Sequence, residues 1–478
     1  MAGHRKRPKF DPDLMHLAST SPGQRRRPPS LEDLPEDLLH RVTSQLTVKE
    51  AGRTSVLSSR WRERWTHHYD LRFDGTSSEL SGYDADRFHA PHLDRWLGFV
   101  AASKAKRAVL DLSPLKFKLA IVASTDKYRL PASQLLVSDR SSSSSPSSCT
   151  ASIVSLLLGH VSLELPAAPS DGGSFLVGFK ALKKLELKFV ANLGDLKPFI
   201  SNCPALEWLS IYDSVIRHLV VPPQARRLRY LRVAECGGVR SIQLRATSLT
   251  TFEFVGFAPQ SVKADDALKL SQASLKFYWA LDTVGYFWDE LSCWLAPVDR
   301  LELSVSMDTE ATRFVENPTK LHLRHLTLSC NILGDPRSAL VVLRLTQILE
   351  SAPQLEHFVL HLNSFDSSPH FLKTTDCIRP HMHDHLRTVH VTGLFGLSGQ
   401  LELAKYILMS ANALESMTLN LARNGYPHLR WAPNHTYFTM LEAFAKNYLD
   451  PQGVYCDILR IIGLTNLTSR YDDGVMLQ

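Results

Sequence analysis

Two periodicities divide the chain. In "LEDLPEDLLHRVTSQL" (Leu31–Leu46) the apolar residues Leu34, Leu38, Leu39, Val42 and Leu46 recur at helical spacing. Asp33 and Glu36 stand at capping-box spacing around Pro35, which a first helical turn accepts because its missing N–H has no partner there anyway. A second helix is predicted from Thr47, with Glu50 three residues on, and a third from Ser58 or Ser59, carrying Trp61 and Trp65. In "LSSRWRERW" the residues Leu57, Trp61 and Trp65 are four apart, which on a helix makes one apolar stripe flanked by Arg60, Arg62 and Arg64, so the arginines read as rim and the tryptophans as mostly core. A module of about forty residues cannot bury all its large apolar side chains, so part of this set is left as an exposed patch.

From Leu182 onward the period changes. "LKKLEL" (from Leu182), "LEWLSI" (Leu206), "LRYLRV" (Leu228) and "LTTFEF" (Leu249) share an L-x-x-L-x-L template and start 24, 22 and 21 residues apart. Further matches are "VDRLEL" (Val298), "LRHLTL" (Leu323), "LEHFVL" (Leu355), "LRTVHV" (Leu386) and "LESMTL" (Leu414), at longer and less regular intervals. The gap after Leu249 leaves room for one degenerate unit around "SLKFYW" (Ser274–Trp279). This period and template are the leucine-rich-repeat signature. The alternating residues predict a short strand with one buried face, and no unit can bury that face alone. The predicted fold is therefore α/β: a small helical module, then a curved, irregular solenoid with a parallel inner sheet. Between strands, Leu193–Pro204 predicts a helical turn, and Val341–Pro353 and Leu401–Asn412 predict fuller helices.

Composition changes this picture little. The 478 residues are 44% hydrophobic and 21% charged, ordinary for a globular chain. The net charge of +6 owes much to "HRKRPK" (His4–Lys9) and "QRRRPP" (Gln24–Pro29), which read as localisation signals or as a solvated basic tail. Seven scattered cysteines without a C-x-x-C pair fit a reducing compartment. No secretory h-region and no membrane-spanning apolar run is evident, so the expected location is nucleus, cytoplasm or both. The expected divisions are a disordered tail over 1–30, the helical module over 31–75, a linker with irregular first repeats and a Ser-rich loop (Ser138–Cys149) over 76–150, the repeats over 151–445, and a C-terminal cap or tail over 446–478.

Residues 31 to 65 resemble an F-box, in the plant form that runs Leu-Pro, a short helix, "RTSVLS", then Arg-Trp and a second Trp. The body resembles the repeats of plant F-box/LRR and FBD-type proteins, most tellingly over "HLRTVHVTGLFGLSGQLELAKYILMSANALESMTL" (His385–Leu419). The resemblance implies a substrate receptor of an SCF-type cullin–RING ubiquitin ligase, in which the F-box docks a Skp-type adaptor, and through it a cullin, while the repeats hold an unidentified target protein. The matched adaptor-facing positions are Leu34, Pro35, Leu38, Val42 and Leu46, with Val56, Leu57 and Trp61 nearby. One departure is Thr47, where many members carry proline.

No P-loop, nucleophile elbow, H-E-x-x-H or dinucleotide fingerprint occurs, so neither a catalytic residue nor a cofactor is expected. "HMHDHLRTVH" supplies His381, His383, His385 and His390 beside Asp384, which reads as a solvated loop in preference to a metal site or a metal-dependent enzyme. The basic tail and Arg/Trp stretch raise nucleic-acid binding, but basic residues do not recur as a stripe along the repeats. Solvent-facing strand positions such as Glu186, Ser210, Arg232 and Glu253, with Tyr212, Tyr278 and Trp279, are the candidate target contacts. The competing reading is a repeat scaffold with a degenerate F-box and no ubiquitination role.

Overall fold

In a computed structural model the chain divides into two units, Met1–Trp65 and Thr66–Gln478. The residues described are 35–46, 50, 53–54, 56–57, 61, 70–74, 85–102, 105–113, 127–130, 153–163, 179–265, 267–278, 283–308, 318–333, 340–364, 381–394, 399–421 and 435–462. The basic tail, the Ser-rich loop, Leu34, Thr47, Trp65 and Trp279 lie outside them.

The larger unit is organised by one sheet of fourteen strands, from Asp70–Asp74 to Leu459–Ile462. Every neighbouring pair is parallel, in the order of the chain once two short outlying sheets are set aside. All nine template matches end in strands of this sheet. Their registers are locked: Leu185, Leu209, Leu231 and Phe252 lie side by side, as do Leu187, Ile211, Val233 and Phe254 two residues on. Both rows are buried, and so are the leading residues Leu182, Leu206, Leu228 and Leu249, which turn each segment into its strand. The predicted degenerate unit is the strand Gln272–Phe277, whose true phase is "LSQASL": Leu270, Ala273 and Leu275 fill the three buried positions. Two earlier units hold the same phase with Ala105, Ala108 and Leu110, and with Ile153, Leu156 and Leu158.

Repeat length selects how the chain returns from one strand to the next. The units starting at Leu206, Leu228 and Leu249 return through four-residue strands, His218–Val221, Ser241–Leu244 and Ser261–Ala264, which form a small parallel sheet of their own. The longer units return through helices, Leu340–Ser351 and Gln400–Ser410, at the two predicted positions. The physical reason is rise per residue: an extended segment gains about 3.3 Å per residue and a helix about 1.5 Å, so short repeats cover the span only when extended.

Four consecutive strands end in a residue with left-handed backbone, His160 (φ 55°), Phe189 (54°), Asp213 (41°) and Glu235 (58°). Each N–H donates to the last carbonyls of the following repeat, at 2.8, 2.9, 2.9 and 2.7 Å, to Lys188, Tyr212, Ala234 and Val255. Such a conformation costs an L-residue about 1–2 kcal/mol, which the ladder of hydrogen bonds offsets.

Gly393 closes the strand Thr388–Thr392 at φ 79°, and a Cβ there would overlap the Leu362 carbonyl. Gly194 has φ 55° with nothing near its Cβ position. We therefore expect Gly393→Ala to lose about 3 kcal/mol or more in chemical denaturation and Gly194→Ala only about 1 kcal/mol; equal losses would place the strain in backbone torsion alone.

Candidate functional site

The smaller unit presents its apolar residues unevenly. Pro35, with φ −52° and ψ 152°, precedes the helix Glu36–Gln45, and its carbonyl accepts the N–H groups of Leu38 and Leu39 at 3.1 and 3.0 Å. Pro35 is thus the N-cap residue, one position earlier than the first-turn placement expected from sequence. Leu39 and Thr43, four apart, form the buried edge, and Thr43 Oγ1 donates to the Leu39 carbonyl at 2.8 Å. The adjacent edge is open: Leu38 is 43% and Val42 39% exposed, and Leu46 is half-buried at the C-cap. Val56 and Leu57 occupy a turn, held by N–H bonds to Arg53 and Thr54 carbonyls, and are 85% and 59% exposed.

Trp61 is 2% exposed and lies in the core of the module, as the reading of its tryptophans as mostly core expects. It does not share a stripe with Leu57, because Leu57 lies in the turn and outward while Trp61 is helical and inward. Apolar surface here is concentrated on Leu38, Val42, Val56 and Leu57, each worth about 1.5–3 kcal/mol if a partner covered it fully.

A second surface is the open face of the fourteen-stranded sheet. Trp208 and Tyr230 are cross-strand neighbours stacked at 3.4 Å with 13° between the rings, and Lys184, next in the same row, sits 5.4 Å from the Trp208 centroid. Sequence reasoning passed over both aromatics, although each is an outward "x" of its template. The sequence candidates fall on the same face but are paired: Glu186 with Lys184 and Lys188, and Arg232 with Glu253 at 3.7 Å. The Tyr278 hydroxyl donates to Glu235, and burial together with that carboxylate pushes its pKa up to about 12. Tyr230 is likewise pushed up to about 12 by burial and Glu253. These phenols stay neutral hydrogen-bonding groups. The buried Cys203 and Cys236 thiols are pushed up to about 12 and about 11, which disfavours the nucleophilic thiolate.

The histidines of "HMHDHLRTVH" do not act together. His381 and His385 are exposed, His390 is on the open sheet face, and His383 is buried against Tyr406, a departure from the solvated loop expected. Among the described residues no group of histidine, cysteine and carboxylate side chains is arranged to hold a metal ion. Among the same residues no helix is long and apolar enough to cross a membrane.

Strands stacked in register on a repeated leucine template, with a separate small helical unit before them, define a leucine-rich-repeat protein with a helical module at its amino end. Residues 31–73 match the F-box domain family, and residues 75–442 match the LRR domain of At1g61320/AtMIF1. The chain belongs to the F-box/LRR-repeat family of plant proteins. From Arabidopsis thaliana, F-box/FBD/LRR-repeat protein At1g13570 is 24% identical over 439 residues, covering 82% of this chain and 91% of that protein. F-box/LRR-repeat protein 13 is 26% identical over 275 residues, 52% of this chain and 50% of its own. F-box protein At1g60400 is 39% identical over 69 residues, 14% of this chain and 16% of its own.

His383 carries a measurable consequence. Neither ring nitrogen has a hydrogen-bond partner among the described residues, and burial, then His381, lowers its pKa from 6.5 to about 4. The folded state thus binds fewer protons than the unfolded one below pH 6.5. Stability is fully present above that pH and falls as acid is added toward pH 4, by about 3 kcal/mol in total. His383→Leu should flatten this part of the pH–stability curve and leave neutral-pH stability unchanged or higher; a curve as steep as wild type would assign the acid sensitivity elsewhere.

Proposed function

We propose that this protein is a substrate receptor of an SCF-type cullin–RING ubiquitin ligase, with its F-box docked on a Skp-type adaptor and its repeats holding a target protein. The observation that carries the reading is the exposed apolar set Leu38, Val42, Val56 and Leu57, beside exposed Pro35 and half-buried Leu46, in a module matched by the F-box family. Isolated surface leucines need no explanation, but an apolar edge next to a satisfied core edge on one helix is what an adaptor groove would cover. Leu34 joins the set by its place in the matched motif, and Trp61 supports it from inside. The chain itself performs no chemistry in this role. It raises the local concentration of target lysines near a conjugating enzyme carried by the cullin. The place of action is then the nucleus, the cytoplasm or both.

Co-purification with a Skp-type adaptor tests this. Leu38→Asp with Val42→Asp replaces exposed side chains, so the helix should persist while adaptor affinity drops about a hundredfold, roughly 1.4 kcal/mol per site. Trp61→Ala should instead destabilise the module by about 3–5 kcal/mol. A wild-type chain that fails to bind where a control F-box binds overturns the receptor reading in favour of a scaffold without a ligase role.

A further inference from the structure

On the open face of the sheet, four histidines from three adjacent strands gather into one patch. His325 and His357 are cross-strand neighbours with rings 4.6 Å apart and 30° from parallel. His357 Nδ1 is 2.6 Å from Thr388 Oγ1, and four residues along the same strand His361 Nδ1 is 2.8 Å from Thr392 Oγ1. Both are in-register pairs with the next strand, and His390 stands between them on that strand, opposite Val359. Strand spacing and rise give a patch about 10 Å by about 14 Å. The two Nδ1 atoms are occupied by threonine hydroxyls, which leaves Nε2 of His357 and His361 for a partner.

Among the described residues the strand positions around the patch are uncharged. On the strands His325–Leu333, His357–Ser364, Thr388–Thr392 and Ser416–Asn420, every other outward position holds Ser, Thr, Asn, Val or Leu. The charged groups around the patch are spent on each other. Glu302 is held by Lys276 at 2.8 Å and by the Ser274 hydroxyl at 2.7 Å. Asp299 lies 3.8 Å from Arg300 and 3.5 Å from Arg324, and Glu356 lies 4.0 Å from Arg324. Beyond the far side Arg387 pairs with Glu415 at 3.4 Å, and Arg460 lies across Thr418. Among the described residues, the charge these strand positions can gain is positive, and the surrounding carboxylates Glu302, Asp299 and Glu356 already hold cations.

We infer that the histidine patch docks an acidic segment of the target protein, rich in Asp or Glu, and that docking takes up protons. The inference rests on reading the sheet face as the target surface and names the chemistry it selects. Burial, with Arg300 and His357, lowers the pKa of His325, burial and His390 lower that of His361, and burial lowers that of His390, so these three rings are held toward the neutral form when nothing covers them. A carboxylate placed over the Nε2 atoms stabilises the imidazolium form. The bound state then holds more protons than the free state, and affinity rises as pH falls. A phosphorylated segment fits less well, because planar Arg forks are what phosphate recognition favours and Arg300 and Arg324 already serve Asp299.

The test is fluorescence anisotropy of a labelled oligoglutamate peptide with the full chain. Affinity should rise about tenfold or more between about pH 7.5 and about pH 6. The arginines and lysines of the basic amino-terminal clusters do not titrate in this range, and His4 is retained in the variant below, so the part of the pH-dependent increment lost with the patch histidines is the readout. The variant His357→Gln/His361→Gln/His390→Gln, checked for wild-type cooperative unfolding, should lose the increment. Titration calorimetry of wild type in buffers of different ionisation enthalpy should show net proton uptake, a readout that needs no variant. Zero uptake, an increment retained by the triple variant, or a larger histidine-dependent increment with oligouridylate or a phosphoserine peptide overturns the inference. None of these outcomes depends on adaptor binding, so failure here and failure of the receptor reading are distinguishable.

Discussion

Everything in the larger unit depends on one constraint: a strand bearing L-x-x-L-x-L can hide its apolar side only between two neighbours in the same register. The parallel ladder sets that register, and a slip of one residue would turn the buried rows outward. With Leu185, Leu209, Leu231 and Phe252 aligned, their outward neighbours Lys184, Trp208, Tyr230 and Thr251 are aligned as well. The Trp208–Tyr230 stack, the Arg232–Glu253 pair and the histidine patch are consequences of core registration. Functional rows are free to vary in chemistry because the rows beneath them carry the stability.

The same constraint explains what was legible in the amino-acid sequence. Nine units with leucine or another large residue at each buried position stood out, and all nine became strands. The unit led by Ile153, just as apolar, was passed over beside the Ser-rich stretch that precedes it. The units led by Leu270 and Ala105 were obscured because alanine fills one or more buried positions, Ala273 in the first and Ala105 and Ala108 in the second. Alanine satisfies packing where space is small but carries almost no periodic signal. The return strands such as Ser241–Leu244 were missed because four residues are too few for a period to show. The left-handed ladder at His160, Phe189, Asp213 and Glu235 has no composition cue at all, since none of these is glycine; the tertiary hydrogen bonds impose it.

In the helical module, spacing located the helix Glu36–Gln45 but could not say which edge would be open. Leu38 and Leu39 are both leucine, about 100° apart on the helix, and only packing makes one core and the other surface. Trp61 was easier to place: interleaved with arginines that can reach water, it reads as core, and it is buried. The contiguous histidines of "HMHDHLRTVH" drew notice as a string, yet just one of them, His390, joins the spatial cluster. Its companions His325, His357 and His361 come from two other repeats, because a solenoid assembles surfaces across the chain direction.

These observations separate two ways of building a recognition surface. The helical module has local apolar side chains that its own small core does not cover, so in the proposed docking its binding energy would come from area and shape. The sheet face is polar and assembled from one or two residues per strand, so as a target surface it would discriminate by charge and hydrogen-bond geometry. Its two halves differ in kind. The half around Trp208 neutralises its charges internally through Lys184–Glu186 and Arg232–Glu253 and offers aromatic rings. The half around His357 keeps fixed charge off its strand positions and offers groups whose charge depends on what sits above them. A partner spanning both halves would be held by rings at one end and selected by its own carboxylates at the other, with the repeat register fixing the distance between the two.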